Sequence, residues 1–215
     1  MTDRPPTDRP TADGPFLTDA LDRQLASGGP VVVELGCGPG KAPGVVGVDR
    51  LPLDGVDVVW DLEDGLGFLP DGAVDEVRSR HTLEHVEAFE PLMREVWRVL
   101  KPAGRHVTVV PHFSNPYFYS DYTHRRTFGL YSFDYFADPA WQPRRKVPAF
   151  YSDVRFRVVE RELVFKSAFP VRNLVRQVQR RVFNVSGWMR EWYEESWCYR
   201  FPCQEVRFVM VPEGK

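Results

Sequence analysis

Val31-Val32-Val33-Glu34-Leu35-Gly36-Cys37-Gly38-Pro39-Gly40 is the stretch on which the chain turns. A β-branched run ends in an acid and an apolar residue, then breaks into glycines at alternate positions. Continuous apolar character predicts a strand buried on both faces of a parallel sheet. The glycines predict a tight turn where a ligand can lie against bare backbone. Glycines in such a run also occur in ordinary turns; their place directly after an apolar strand gives them weight.

Upstream, residues 16–27 carry Phe16, Leu17, Ala20, Leu21 and Leu25 before Gly28-Gly29-Pro30, which predicts a short amphipathic helix with a glycine stop. Downstream, residues 45–49 read as a second strand ending in Asp49, and 56–60 as a third followed by Asp61-Leu62. Only residues 36–44, with Pro39 and Pro43, connect the first strand to the second. A parallel crossover normally takes a dozen residues or more, so the first crossover helix is expected to be nearly absent. Its cover is sought in the N-terminal helix or in the Trp-rich segment after Gly187. A fourth strand is expected over 74–79. Phe89, Leu92, Met93, Val96, Trp97 and Leu100 follow at helical spacing, with Pro91 in the first turn. Lys101-Pro102-Ala103-Gly104 is expected to stop that helix, and 107–110 to form strand five. Alternating strands and helices predict an α/β, doubly wound sheet.

Composition narrows the function classes. The 215 residues suit one domain and are 43% hydrophobic, with a formal net charge of −2. No basic tract of the kind that holds nucleic acid is present, and no apolar run approaches the roughly 20 residues of a membrane span. Residues 1–15, rich in Pro, Thr and Asp, read as a disordered leader without the apolar core of a signal peptide. Cytoplasm is the expected compartment. Cys37, Cys198 and Cys203 have neither disulfide nor metal spacing, and Cys37 reads as a small residue that fits the turn. His81 and His85 stand four apart but lack an evident third ligand, so no metal is expected.

Glu34-Leu35-Gly36-Cys37-Gly38-Pro39-Gly40, Gly47-Val48-Asp49, Trp60-Asp61-Leu62, His81-Thr82-Leu83-Glu84-His85 and Arg98-Val99-Leu100-Lys101-Pro102-Ala103-Gly104 occur in this order. Together they resemble the class I S-adenosylmethionine-dependent methyltransferases, of the type 11 kind. The resemblance covers most of residues 31–111. It implies a mostly parallel seven-stranded Rossmann-like sheet with an antiparallel last strand, here 205–211, and S-adenosylmethionine as cofactor. Gly36, Gly38 and Gly40 would let the cofactor lie against backbone, and Glu34 would orient its sulfonium end. Asp49 would take the ribose hydroxyls, Asp61 and Leu62 the adenine, and His81 would line the methionine moiety. A nicotinamide dehydrogenase shares the turn and the strand-end acid; Glu34, Asp61 and the Lys-Pro-Ala-Gly segment favour the methyltransferase.

The second half is aromatic and less regular. Residues 112–154 read as a cap of loops and short helices, 155–162 as a strand, and 163–204 as a helical excursion, so residues 16–215 form one domain. Within the excursion, 169–183 is basic and amphipathic, with Val171, Leu174, Val175, Val178 and Val182 on its apolar face. Residues 187–199 add Trp188, Met189, Trp192 and Trp197. These segments are candidates for a homo-oligomer interface or a membrane-surface contact, without stable insertion. Substrate groups belong outside the carboxyl ends of the strands. His112, then His124, are candidate bases, since imidazole titrates near neutrality. Tyr117, Tyr119, Tyr122, Arg125 and Arg126 are candidate substrate contacts, the arginines suited to a carboxylate or phosphate. The expected activity is methyl transfer to oxygen or nitrogen of a small anionic metabolite. The alternatives are protein methylation or an inactive relative that binds a partner.

Overall fold

The computed structural model describes residues 16, 17 and 19–215; the leader expected over 1–15 lies outside them. Eight strands form one sheet: β1 (Phe16–Leu17), β2 (Val32–Leu35), β3 (Val46–Asp49), β4 (Val58–Val59), β5 (Val74–Arg80), β6 (Leu100–Pro111), β7 (Arg155–Val164) and β8 (Glu205–Glu213). Their order is β1-β4-β3-β2-β5-β6-β8-β7. Strands β4, β3, β2, β5 and β6 run parallel, while β8 is antiparallel to both β6 and β7. Those seven strands are the expected Rossmann-like sheet. The two-residue β1 adds an antiparallel edge on β4. Phe16 and Leu17, expected in the first helix, belong to this strand instead. The helix itself, α1, starts at Asp19 and ends at Ala26.

Between β2 and β3 the chain makes only a 3-10 turn over Gly38–Gly40, so the first crossover helix is indeed missing. The turn takes its place by lying on β3. Cys37 N–H donates to Val48 O at 3.1 Å, and a Cβ on Gly47 would stand 2.7 Å from Cys37 Sγ and 2.8 Å from Lys41 Cδ. Glycine at position 47 is therefore what lets so short a connection pack flat. Asp57 holds it there, accepting from Gly47 N–H at 2.8 Å and pairing with the Lys41 ammonium. On the same side of the sheet order, α1 buries Leu21 and packs near β3, with Gln24 Nε2 donating to Gly44 O at 2.7 Å. The N-terminal helix, of the two sources of cover considered, is the one at this place. The Trp-rich segment packs on the far half of the molecule, where Tyr193 meets Phe165 and Phe183.

Helix α2 (Phe89–Val99) buries Leu92, Met93, Val96 and Val99. Its N-terminus is capped from outside by Glu63, whose carboxylate accepts from Glu87 N–H (2.6 Å) and Ala88 N–H (2.7 Å). Strand β6 begins at Leu100, directly after the helix, so Lys101 to Gly104 are not a stop but the irregular start of the strand. A Cβ on Gly104 would lie 3.0 Å from Lys101 O and from Val74 O. Residues 112–154 contain two 3-10 turns, Pro116–Ser120 and Ser132–Phe136, and no α-helix.

Helices α3 (Pro170–Phe183) and α4 (Gly187–Ser196) fill the excursion. The apolar face of α3, a candidate interface or membrane-surface contact, points outward: Val171, Leu174, Val175, Val178 and Val182 are 47–82% exposed. What α3 buries is Phe183, on Phe165 and Tyr193, and Arg176, which donates to Pro202 O at 2.6 Å. Arg180 adds an ion pair to Glu162. Periodicity shows that a helix has two faces, but here the aromatic anchor and these guanidinium bonds decide which one docks. No helix among the described residues is long and apolar enough to cross a membrane.

Candidate active site

Four neighbouring strands end side by side, and each delivers one part of the site. In sheet order they supply Asp61 after β4, Asp49 at the end of β3, Gly36 after β2 and His81 after β5. The crevice outside the carboxyl ends of parallel strands, at the point where strand order reverses, is where such sheets bind ligands. Here that point lies between β2 and β5, the two central neighbours of the glycine turn.

The three glycines differ in what requires them. Gly36 has φ +64°, and a Cβ there would come within 2.5 Å of Thr82 Cγ2 and Oγ1. Thr82 is buried because its hydroxyl donates to Leu35 O at 3.0 Å, tying the loop after β5 to the end of β2. Gly38 has φ +53° and nothing within 4 Å of its Cβ position; Gly40 is equally open. Backbone closure thus explains Gly36, whereas Gly38 and Gly40 border free space that a ligand's atoms can occupy. Cys37 faces away from reactivity: burial, with Asp49 and Glu34 nearby, pushes its thiol up to about 11.

The acids are braced by backbone. Asp49 Oδ2 accepts from Gly38 N–H and Oδ1 from Leu51 N–H, each at 3.0 Å. A carboxylate has further lone pairs, so the acid can fix the turn and still accept from a hydroxyl. Asp61 Oδ1 accepts from Glu63 N–H at 3.1 Å, starting the 3-10 turn Leu62–Asp64, with Leu62 buried beneath it. Glu34 sits half-buried near the end of β2. His81 is the one non-glycine among the described residues with positive φ (52°). Its ring lies between Glu205 (Nε2–Oε1 3.1 Å) and Glu84 (Nδ1–Oε1 3.3 Å). Hydrogen bonds to Glu205 and then to Glu84 raise its pKa to about 9. Burial works against the Glu205 charge, but His81, Lys166 and Arg80 outweigh it and bring that carboxyl down to about 2.

The two candidate bases are placed very differently. His112, at the end of β6, is fully buried. Its Nδ1 accepts from Ser114 N–H at 3.0 Å, so Nε2–H points to Glu194 Oε2 at 3.1 Å. Glu194 also accepts from Leu130 N–H at 2.6 Å. Both ring nitrogens are therefore committed, and His112 clamps β6, cap and α4 together. This corrects the expectation of a base facing the methyl: no ring nitrogen is left to take a proton from a ligand. His124 lies on the cap beside the loop after β5, its ring 4.9 Å from that of His85.

Of the expected substrate contacts, Tyr117, Tyr119 and Tyr122 are 61–97% exposed. Tyr119 OH donates to Phe113 O at 3.1 Å. The paired arginines split. Arg126 gives its guanidinium to Val86 O and Glu87 O and covers the Phe89 ring at 4.9 Å, docking the cap on the start of α2. That engagement corrects the pairing of the two as anion ligands. Arg125 is exposed, held by its backbone N–H to Glu84 O at 2.7 Å. Sequence reasoning passed over Thr82, Glu84 and Glu205. Glu205 lies 124 positions from His81, and no local spacing signals such a pair.

Residues 33–108 match the family model described as a methyltransferase domain. Several solved structures share the architecture. A putative methyltransferase from Bacillus halodurans is 16% identical, with 92% of this chain and 98% of that one covered at a TM-score of 0.53. The YcgJ protein from Bacillus subtilis is 17% identical over 91% and 98% of the two chains, TM-score 0.50. Phosphoethanolamine N-methyltransferase 2 from Haemonchus contortus, solved with S-adenosyl-L-methionine, is 14% identical at a TM-score of 0.51; 91% of this chain covers 52% of that one. No curated protein matches the sequence. The likeness between structures is one of fold, and the family-model match runs from within β2 to within β6.

Proposed function

We propose that this chain, a class I S-adenosylmethionine-dependent methyltransferase by fold and family-model match, moves a methyl group to oxygen or nitrogen of a small anionic metabolite. The observation that carries the reading is the row Asp61, Asp49, Gly36, His81 along adjacent strand ends, with open space over Gly38 and Gly40. S-adenosylmethionine supplies the electrophilic methyl. Glu34 faces its sulfonium end, Asp49 accepts from the ribose hydroxyls, and Asp61 with the Leu62 backbone meets the adenine. On the acceptor side Arg125 is the cation available for a carboxylate or phosphate. His124, partly exposed on the cap, takes the place of His112 next to the acceptor. Alignment of acceptor and methyl supplies much of the rate in such transfers.

A small acceptor is favoured over a nucleic acid by the acidic net charge of −2, and the cytoplasm is the compartment that suits the composition. The solvent-facing stripe of α3, from Val171 to Val182, supports a homo-oligomer, since monomers rarely leave such a face open. Incubation of the protein with S-adenosylmethionine and panels of carboxylated and phosphorylated metabolites, reading S-adenosylhomocysteine, tests the activity. Turnover with an anionic small molecule is expected; turnover only with protein acceptors would overturn the substrate class.

A further inference from the structure

We propose that Glu84, His85 and His124 form a divalent metal site of the zinc, manganese or cobalt class, at the seam between the loop after β5 and the cap. One ligand atom from each lies within 4.8 Å of the others, the one such cluster among the described residues. His124 comes to Glu84 and His85 through the fold, which is why the spacing of His81 and His85 alone gave no third ligand.

The independent observation is the state of Glu84. Its side chain is fully buried; one carboxylate oxygen faces the His81 ring, with Nδ1 at 3.3 Å, and the other meets no hydrogen-bond donor. A buried carboxylate left this way is costly, and a bound cation offsets that cost. The imidazoles are set in the form that ligation needs. His124 Nδ1–H donates to Phe118 O at 2.9 Å, leaving the Nε2 lone pair free. The Thr123 hydroxyl gives its one proton to Asp121 Oδ1 at 2.5 Å, so His85 Nδ1–H must be the donor to Thr123 Oγ1 at 2.9 Å. His85 Nε2 is then free as well. Ligating histidines commonly donate their other N–H in this manner.

Bonds of about 2.0–2.2 Å bring tetrahedral ligands to about 3.4 Å of one another, so these must close by at most about 1.4 Å. Asp121 Oδ2 lies 3.6 Å from His124 Nε2. Two imidazoles with one carboxylate suit a transition-type cation better than magnesium or calcium. Three protein ligands leave a position for an oxygen of the acceptor. This last assignment rests on the methyl-transfer reading; metal binding itself does not. As a ligand, His124 acts on the acceptor through the cation.

Untagged protein stripped with EDTA is titrated with cobalt chloride, followed by visible absorption and calorimetry. One equivalent is expected to bind, with His124→Ala and Glu84→Gln each weakening it about 100-fold or more; circular dichroism verifies that the variants fold. Because Glu84 is buried, His124→Ala decides if Glu84→Gln does not fold. No cobalt binding by the parent, or undiminished binding by His124→Ala, overturns the site. S-adenosylhomocysteine is titrated separately into the stripped parent, so failure of the cofactor reading is told apart from failure of the metal.

Discussion

Gly38 N–H donates to Asp49 Oδ2 at 3.0 Å, so the acid at the end of β3 holds the glycine turn at the end of β2. The turn, lacking a helix behind it, is kept in shape by the carboxylate proposed to accept from the cofactor's ribose. On that proposal, loss of the Asp49 carboxylate is expected to lower turn stability and cofactor affinity together.

The glycines separate by what their Cβ would meet. Gly36→Ala combines left-handed backbone with a 2.5 Å approach to Thr82 and is expected to cost about 3 kcal/mol or more. Gly38→Ala meets only the backbone penalty, about 1–2 kcal/mol, but fills the free space over the turn and weakens cofactor binding. Urea unfolding midpoints compare the two; equal losses would contradict the assignment of Thr82 as the obstacle.

His106 sets an acid limit. It is fully buried with Nε2 3.2 Å from Ser79 Oγ, and burial lowers its pKa to about 3. The unfolded chain binds a proton below about pH 6.5 that the folded chain refuses. Stability is thus complete above pH 6.5 and falls as pH drops towards 3, by about 2 kcal/mol at pH 5 from this group. Denaturation at pH 7 and pH 5 measures the loss, and His106→Asn should remove that share of it.

The two cap arginines should behave oppositely. Arg126→Ala loses the bonds to Val86 O and Glu87 O and is expected to destabilise by about 2 kcal/mol. Arg125→Ala should leave stability within about 0.5 kcal/mol while raising KM for an anionic acceptor. Thermal unfolding and steady-state kinetics of both variants would expose a reversed pattern.

The stripe on α3 predicts self-association. Sedimentation of the parent should show a dimer, and Leu174→Glu, at a 71% exposed position, should give a monomer with an unchanged circular dichroism spectrum. A monomeric parent would remove the α3 face from consideration as a self-contact.

The β2-to-β6 half was legible because its signals are local. Apolar runs, strand-end acids and glycines lie within a few residues of one another, and even the missing crossover helix could be counted off between Leu35 and Val45. The C-terminal half was legible as elements but not as contacts. Val171 to Val182 announce an amphipathic helix, yet its orientation follows from Phe183 and Arg176 meeting distant partners. His112 looked reactive because it follows a strand, and only Glu194, 82 positions away, shows it committed. The third member of the Glu84, His85 and His124 cluster was hidden by the same distance.

Calorimetric titration of S-adenosylhomocysteine into the full chain tests whether the glycine turn and its acids bind the cofactor. Saturable one-to-one binding is expected, strongly weakened in Asp49→Ala and little changed in Arg125→Ala. Folded protein that takes up no S-adenosylhomocysteine would contradict cofactor binding at the turn.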